Sequence, residues 1–305
     1  MNMKKIPAIR TFGFIALFLL ALVSSGCKAQ NDTFHVPEDN INVVNAYDEV
    51  QALKQDGKNI KEIIKTIKIH VADDIVEWPP YTYQKRVNGV KTDELEGYSI
   101  DVLEEIFSKN GIEYDIELMP WNRAQMEVEK GLNYYMFPSG SYSKERAEKY
   151  YISEPYYKTI PCYFYSKIHY PNGLKINNKA ELKSYRVVGL KGHNYSDYGL
   201  APEEVDMTSD SYSAAIKQLH SGYYDIMLES IEILAGHSRL NENILGDEQL
   251  GYDYMKDMEP VYFYMMFSKN EVGQELKYIF DEGIKEMTES GRLDELLRKY
   301  IDYKK

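Results

Sequence analysis

The segment from Met136 to Tyr157 carries the residues best suited to bind a small anion. Four small or rigid residues lie near its start: Pro138, Ser139, Gly140 and Ser141. Such residues form a turn whose backbone N–H groups can approach a ligand closely. Ser143 is a candidate N-cap for a helix beginning near Lys144, and Arg146 follows within its first turn. Amides, hydroxyls and a guanidinium together favour a carboxylate, whereas the alternative is a solvated surface turn and charged helix.

Hydrophobic periodicity indicates the elements that would position this segment. Strands are predicted at 67–71, 114–118 and 134–137, with helices at 102–107 and 124–130. A second set follows, with strands at 185–190 and 224–228 and a helix at 212–220. Alternating strands and helices predict two α/β lobes with mainly parallel sheets. Ligands bind such sheets beyond the carboxyl ends of the strands, so the cleft between the lobes is the predicted site.

Several segments resemble one known family. The run SYSKERAEKYYISEPYY is similar to the T-x-T-x-E-R signature of bacterial extracellular solute-binding proteins of family 3, the polar amino-acid-binding group that serves ABC importers. Further matching segments occur in the family's order over about residues 66 to 303: IKIHVADD, EWPPYTY, GYSIDVLEEIF, VVGLKG, SGYYDIML and ELKYIFDEGIKEMTESGRLDELLRKYI. The resemblance implies a two-lobed periplasmic binding protein type II fold, with lobe one at 67–158 and 262–305 and lobe two at 159–261.

The resemblance also implies contacts from lobe one to the solute. Trp78 and Trp121 occupy positions where the family places aromatic side chains, and each follows a predicted strand directly. Asp73 or Asp74, at the end of the first strand, matches an acid at the rim of the family's pocket. Arg123 lies one residue past the expected strand-end loop, where it either supplies a second cation or faces solvent.

In lobe two, Lys191, Gly192 and Asn194 belong to a strand-end loop and helix start that meet the ligand in the family. Glu229 and Ser230 stand where amino-acid binders place a polar residue and then the Asp that holds the α-ammonium. Glu229 is therefore one position early, and on a strand such an offset turns a side chain to the opposite face.

The sequence does not decide how a ligand ammonium would be bound, because the hydroxyl of Ser230 cannot neutralise a desolvated cation. Either Asp73, Asp74 or Glu229 takes over the ammonium, or the solute is a carboxylate without an α-amino group. The second outcome is slightly preferred, since Arg123 would add positive charge.

The N-terminus has the layout of a signal peptide over residues 1–26. Lys4, Lys5 and Arg10 precede the apolar run FGFIALFLLALV, and small residues then precede Cys27. Cys27 is the predicted lipidation site, followed by a polar tether at 27–45; the alternative is a cleaved secretory protein without a lipid. Residues 46–66 have helical spacing interrupted at Asp56-Gly57, and this extension either packs on lobe one or contacts a partner.

Composition and motifs exclude several functions. The formal net charge of −12 disfavours nucleic acid as a partner. The histidines lack metal-ligand spacing and no nucleotide-binding motif occurs, so no metal, cofactor or catalytic residue is predicted. We expect a monomeric, non-enzymatic binding protein that presents a solute to a membrane permease or receptor. The alternatives are an enzyme resembling cyclohexadienyl dehydratases, with Glu229 as the acid, and a lipoprotein with a vestigial cleft.

Overall fold

The structure, a computed structural model, describes residues 45–191, 193 and 195–301. The predicted signal peptide, the lipidation site Cys27 and most of the tether lie outside these residues, as do Gly192 and Asn194. Within the described ranges, no helix has the length and apolarity needed to cross a membrane.

Helices and strands alternate along most of the described chain. The helices are α1 (Ala46–Gln55), α2 (Ile60–Ile63), α3 (Tyr98–Asn110), α4 (Trp121–Lys130), α5 (Lys144–Lys149), α6 (Tyr212–His220), α7 (Ile231–Gly236), α8 (Glu271–Glu289) and α9 (Arg292–Arg298). The strands are β1 (Ile69–Asp74), β2 (Tyr83–Val87), β3 (Val90–Glu96), β4 (Tyr114–Met119), β5 (Tyr134–Ser141), β6 (Tyr150–Thr159), β7 (Pro161–Ser166), β8 (Val187–Leu190), β9 (Val205–Ser209), β10 (Ile226–Ser230), β11 (Leu250–Tyr254) and β12 (Val261–Ser268).

Two five-stranded sheets form the centres of two lobes. The sheet of lobe one has the strand order β4-β1-β5-β12-β6, and that of lobe two has the order β11-β7-β10-β8-β9. The chain passes from the first sheet to the second at Ile160 and returns between Tyr254 and Val261. The α/β class predicted from the sequence is thus confirmed.

The sheets are mixed rather than mainly parallel, which corrects the sequence prediction. Strand β1 pairs in parallel with β4 and β5, whereas β12 pairs antiparallel with β5 and β6. The returning strand β12 enters lobe one from the opposite direction and inserts between two strands that precede it by more than 100 residues. The hydrophobic periodicity within a segment does not indicate whether a strand runs parallel or antiparallel to its neighbours.

The N-terminal extension packs against lobe one. Ile63 and Ile64 are completely buried, and Lys54 forms an ion pair with Glu271 on α8 at 2.8 Å. The break between α1 and α2 occurs at Asp56-Gly57 as predicted, because Gly57 adopts a φ of 81° that other residues rarely accept. The extension is therefore part of the lobe-one core.

Candidate functional site

A cavity of about 540 Å³, here called the main chamber, lies where the lobes face each other. Lobe one contributes most of its lining: Asp73, Asp74, Val76, Trp78, Thr82, Trp121, Ser139, Ser141, Arg146 and Phe263. Lobe two contributes Lys191 and His193. The volume is in the range that small-molecule sites occupy in proteins. Eight residues expected at the site from the sequence meet here, seven from lobe one and Lys191 from lobe two.

Asp73 is a buried acid at the end of β1. Its side chain is only 4 % exposed, and Oδ2 has no hydrogen-bond partner among the described residues. Burial raises the pKa of Asp73 to about 7, although the Asp74 amide donates a hydrogen bond to Oδ1 at 2.8 Å and opposes that rise. Asp74 is half-buried, and its Oδ1 accepts from the Val76 amide. Burial therefore favours the neutral form of this acid in the chamber wall.

Trp78 is fixed by a tight turn after β1. Its amide donates to the Thr82 carbonyl at 2.8 Å, and the Thr82 amide donates back to the Trp78 carbonyl at 3.0 Å. The indole lies 6.5 Å from the ring of Phe263 on β12. Phe263 in turn stacks on Tyr157 at 4.6 Å. An aromatic stack anchored in the strands that connect the lobes thus supports the tryptophan wall.

The small-residue turn expected at Pro138–Ser141 is instead the last part of strand β5. Gly140 pairs with Tyr264 and Ser141 with Phe263, so these residues belong to the sheet. The β5–β12 register shifts near this point, and Ser139 has a φ of 60°. Turn-forming residues occur here because the strand is irregular.

Two of the predicted ligand donors in this strand have other roles. The Ser139 amide donates to the Tyr156 hydroxyl at 3.1 Å, and Ser139 Oγ contacts the same hydroxyl. A Cβ atom on Gly140 would lie 2.7 Å from the Met266 side chain, so this position of the strand is packed against the protein interior. The prediction of free amides at Ser139 and Gly140 is therefore wrong for Ser139, whose amide is engaged by Tyr156.

Arg146 is held at the wall of the main chamber. Helix α5 begins at Lys144 as predicted, and Ser143 Oγ caps it by accepting the Arg146 amide. Arg146 Nη1 donates to the carbonyl and hydroxyl oxygens of Ser141 at 2.8 and 2.9 Å, and Nε donates to Gln125. Within the described part of the chain, Nη2 has no acceptor and no carboxylate forms an ion pair with the guanidinium.

Burial lowers the pKa of Arg146 from its ordinary value, since a half-buried guanidinium loses hydration. Its charged group lies 5.7 Å from the ring of Trp121, which supplies a weak cation–π contact. Neither Ser141 nor Trp121 carries a negative charge. The chamber thus contains a partly desolvated cation that forms no ion pair with the described residues.

Trp121 and Arg123 lie on the first turn of α4, which begins three residues earlier than predicted. Trp121 lines the chamber and packs edge-on against Phe137 at 5.2 Å. Arg123 is exposed and does not line the chamber, because helical spacing turns it away from Trp121. Of its two predicted roles, the solvent-facing one is observed, and Lys191 from lobe two provides the second cation instead.

A smaller cavity of about 290 Å³, here called the side chamber, adjoins the main chamber on lobe two. Its lining residues are Trp78, His193, Tyr195, Tyr198, Leu228 and Glu229. Ser230 lines neither chamber; its amide donates to Glu229 Oε1 at 2.7 Å. Strand β10 extends through both residues, so Glu229 and Ser230 point to opposite faces, and it is Glu229 that lines a cavity.

Several lining residues were not identified from the sequence. Thr82 lies four residues beyond Trp78, and its Oγ1 is buried without a partner among the described residues. The Trp78-Pro79-Pro80 sequence is typical of a turn, and such a turn places Thr82 beside Trp78. Tyr195 and Tyr198 follow β8 closely, in a segment where only Lys191, Gly192 and Asn194 were predicted to meet the ligand. Phe263 had no comparable sign, because its position depends on the pairing of β12 with strands distant in sequence.

Comparisons with known proteins show the family and the fold of the chain. The sequence profile of the bacterial extracellular solute-binding proteins, family 3, matches residues 69–303. No curated protein sequence matches the chain significantly.

Solved structures share the fold. The arginine-, lysine-, histidine-binding protein ArtJ from Geobacillus stearothermophilus is 21 % identical, with a TM-score of 0.55 over 77 % of this chain and 95 % of that protein. An L-arginine-bound amino acid ABC transporter substrate-binding protein, AbpA from Streptococcus pneumoniae, is 21 % identical, with a TM-score of 0.59 over 79 % and 100 %. The ancestral amino-acid-binding protein AncCDT-1, a precursor of cyclohexadienyl dehydratase, is 18 % identical, with a TM-score of 0.57 over 80 % and 100 %. The chain has the type II periplasmic binding protein fold and belongs to the bacterial extracellular solute-binding proteins of family 3.

Proposed function

We propose that the protein captures a small carboxylate-bearing solute, an amino acid or a related organic acid, for an ABC-type importer or a membrane receptor. The observation that carries the proposal is the Arg146 guanidinium, which is half-buried in the main chamber without a carboxylate partner among the described residues. A buried cation of this kind is costly unless a bound anion compensates it. Ser141 and Gln125 accept three of the five guanidinium N–H groups, and a solute carboxylate would accept from the remaining two, both on Nη2.

Lys191 gives the solute a role in bringing the lobes together. Its exposed side chain belongs to lobe two, whereas Arg146 belongs to lobe one, and both line the main chamber. An anion between them is attracted to both lobes, so binding favours the closed arrangement. Trp78 and Trp121 would enclose the apolar part of the solute.

The position that holds the ammonium in amino-acid binders has no role in the proposal, since Ser230 lines neither chamber. The acids available to a solute nitrogen are Asp73, Asp74 and Glu229. An organic acid without an α-amino group remains in the proposed class, because the carboxylate contact with Arg146 does not depend on an ammonium.

Calorimetry with matched solutes tests the proposal. Ligand that copurifies is removed by unfolding and refolding, and the twenty amino acids and their deaminated acids are then compared with the corresponding primary amides. We expect a carboxylate to bind and its primary amide to bind about 30-fold more weakly or worse, because the amide has no charge to pair with the guanidinium. Equal binding of a carboxylate and its amide would contradict the proposal.

We also propose that the protein is a lipoprotein of the periplasm or cell surface. Cys27 carries the lipid in this proposal, and the polar residues that follow it form the tether that holds the lobes away from the membrane. The intact mass of protein isolated from membranes checks this directly, because an acylated Cys27 adds the mass of its fatty-acyl chains.

The alternative, a dehydratase on the same fold, needs a proton donor in the cleft. Both oxygens of Glu229 act as hydrogen-bond acceptors, Oε1 from the Ser230 amide and Oε2 from the Tyr212 hydroxyl. Donors of the protein thus already occupy both oxygens of this side chain, and we favour binding over catalysis. Turnover of prephenate or arogenate that disappears in Glu229→Gln would establish the enzyme instead.

A further inference from the structure

Helix α7 and the turn that follows it on lobe two contact lobe one outside the two chambers. The Ile231 amide, at the start of α7, donates to the Ile160 carbonyl at 3.2 Å, so this helix begins where the chain crosses between the lobes. Its other end lies against Pro79 and Pro80 of lobe one, which directly follow Trp78. Because Trp78 lines both chambers, contacts made here lie beside the cleft.

The first contact leaves no space for a side chain. A Cβ on Gly236, the last residue of α7, would lie 2.4 Å from the Pro80 nitrogen and 2.6 Å from the Pro79 carbonyl carbon. Both are backbone atoms, which cannot turn aside as the end of a flexible side chain can. Gly236 has ordinary helical dihedral angles, φ −61° and ψ −29°, so its own backbone does not require glycine. The close approach of the two lobes is therefore what requires glycine at this position.

The second contact is a helix cap supplied by the opposite lobe. Arg239, in the turn His237–Leu240, donates from Nε to the Tyr300 carbonyl at 3.0 Å and from Nη2 to the Lys299 carbonyl. Its guanidinium also lies 5.6 Å from the Tyr300 ring. These carbonyls follow the last turn of α9, where a helix leaves carbonyl groups without partners and its dipole favours a cation. An arginine of lobe two thus caps a helix of lobe one.

The acceptors of this cap are fixed on lobe one. The Tyr300 hydroxyl and Lys299 Nζ both donate to Asp101 Oδ2 on α3, at 2.7 and 2.5 Å. At the start of α9, Arg292 forms an ion pair with Glu105, which also lies on α3. Because α9 is attached to lobe one at both ends, a bond from lobe two to its C-terminus joins the two lobes.

We propose that these two contacts hold the lobes together when no solute is bound, and that Gly236 sets how closely the lobes approach. Opening of the cleft turns lobe two about the crossover near Ile160 and moves the end of α7 away from lobe one, so both contacts are lost on opening. They oppose the repulsion between Arg146 and Lys191, two cations that line the main chamber from different lobes. The inference goes beyond the proposed function, since neither contact involves the solute.

Spin labels on the two lobes test the inference in the ligand-free protein. Cysteines replace two exposed residues, Lys144 on α5 of lobe one and Ser213 on α6 of lobe two. The background is Cys27→Ser, in which the remaining Cys162 is buried and does not take up the label. Copurifying ligand is removed by unfolding and refolding, and double electron–electron resonance then gives the distribution of distances between the labels.

Two variants alter one contact each. Gly236→Ala places a methyl group between the lobes, and the ratio of closed to open protein should fall about 5- to 100-fold, as overpacking does elsewhere. Arg239→Ala removes the cap, and the same ratio should fall about 5-fold, because solvent-exposed hydrogen bonds contribute little each. Arg298→Ala, which removes an exposed arginine of α9, is the control and should give the wild-type distribution.

Circular dichroism and urea unfolding distinguish an opened protein from a damaged one. Alanine is a better helix former than glycine, so Gly236→Ala should keep a folded spectrum and a cooperative transition. Distance distributions that match wild type in both Gly236→Ala and Arg239→Ala would overturn the inference, as would an equal shift in Arg298→Ala and Arg239→Ala. Either result would leave the proposed function intact, because carboxylate binding at Arg146 is measured separately by calorimetry.

Discussion

The buried carboxyl group of Asp73 should make the free energy of unfolding depend on pH in a specific way. The side chain is 4 % exposed and burial raises its pKa from an ordinary value of 3.8 to about 7. The unfolded chain exposes Asp73 to water, where the ordinary value applies. Replacing Asp73 with Asn removes the ionisation and nearly preserves the shape of the side chain.

The sign and size of the effect follow from these two values. Between pH 4 and 7 the folded protein keeps the proton on Asp73 while the unfolded chain releases it, so the free energy of unfolding decreases by about 1.4 kcal/mol for each pH unit. The stabilising contribution is complete below about pH 4 and is lost as the pH rises through 7. The full loss is about 4 kcal/mol, of which about 2 to 3 kcal/mol falls between pH 5 and 8.

Urea unfolding of the ligand-free protein at pH 5, 6, 7 and 8 measures this contribution. The stability of Asp73→Asn relative to wild type should increase by about 2 to 3 kcal/mol across the series. Glu77 and Asp225 do not interfere, because their ion pairs lower each pKa to about 2 and their contributions are lost only in more acidic solution. Asp93→Asn, which removes an exposed acid, is the control and should follow wild type. Parallel curves for Asp73→Asn and wild type would refute the reasoning.

Three other predictions concern the extension, the tryptophans and the anchor. Ile63→Ala should lower the free energy of unfolding by about 2 to 5 kcal/mol in urea titrations, since this residue is fully buried, whereas the exposed Lys61→Ala should have little effect; equal losses would contradict packing of the extension in the core. Solute should change the fluorescence of the single tryptophan left in Trp78→Phe and in Trp121→Phe, and an unchanged emission in both would place the solute elsewhere. Cys27→Ser should release the protein from membranes into the soluble fraction, and identical partitioning of variant and wild type would contradict lipidation.

Local patterns predicted the parts of the site that depend on neighbouring residues. The cap of Ser143 on Arg146 lies within one helical turn, so its spacing is visible in the sequence. Trp78 and Trp121 each follow a strand by two to four residues, and both line the main chamber. Short connections leave the chain few ways to place such side chains.

Contacts between distant segments could not be predicted in this way. The Ser139 amide is taken by Tyr156, and Phe263 enters the chamber from a strand that follows lobe two. Strand and loop were also confused at Ser139, because small residues mark a turn as well as an irregular strand. These features depend on strand order and register, which appear only when the sheet is assembled.

The role of Arg146 as the carboxylate anchor is the central claim, and substitution of this residue tests it most directly. The dissociation constant of a carboxylate solute is measured by calorimetry for wild type, Arg146→Ala, Arg146→Lys and Arg123→Ala. Loss of a charge-assisted pair in the chamber should cost about 2 to 5 kcal/mol, so Arg146→Ala should bind about 30-fold more weakly or worse. Arg146→Lys should recover only part of the affinity, because an ammonium lacks the planar fork. Arg123→Ala, which removes an exposed arginine outside the chamber, should bind as wild type does. An unchanged dissociation constant in folded Arg146→Ala would contradict the assignment of Arg146 as the carboxylate anchor.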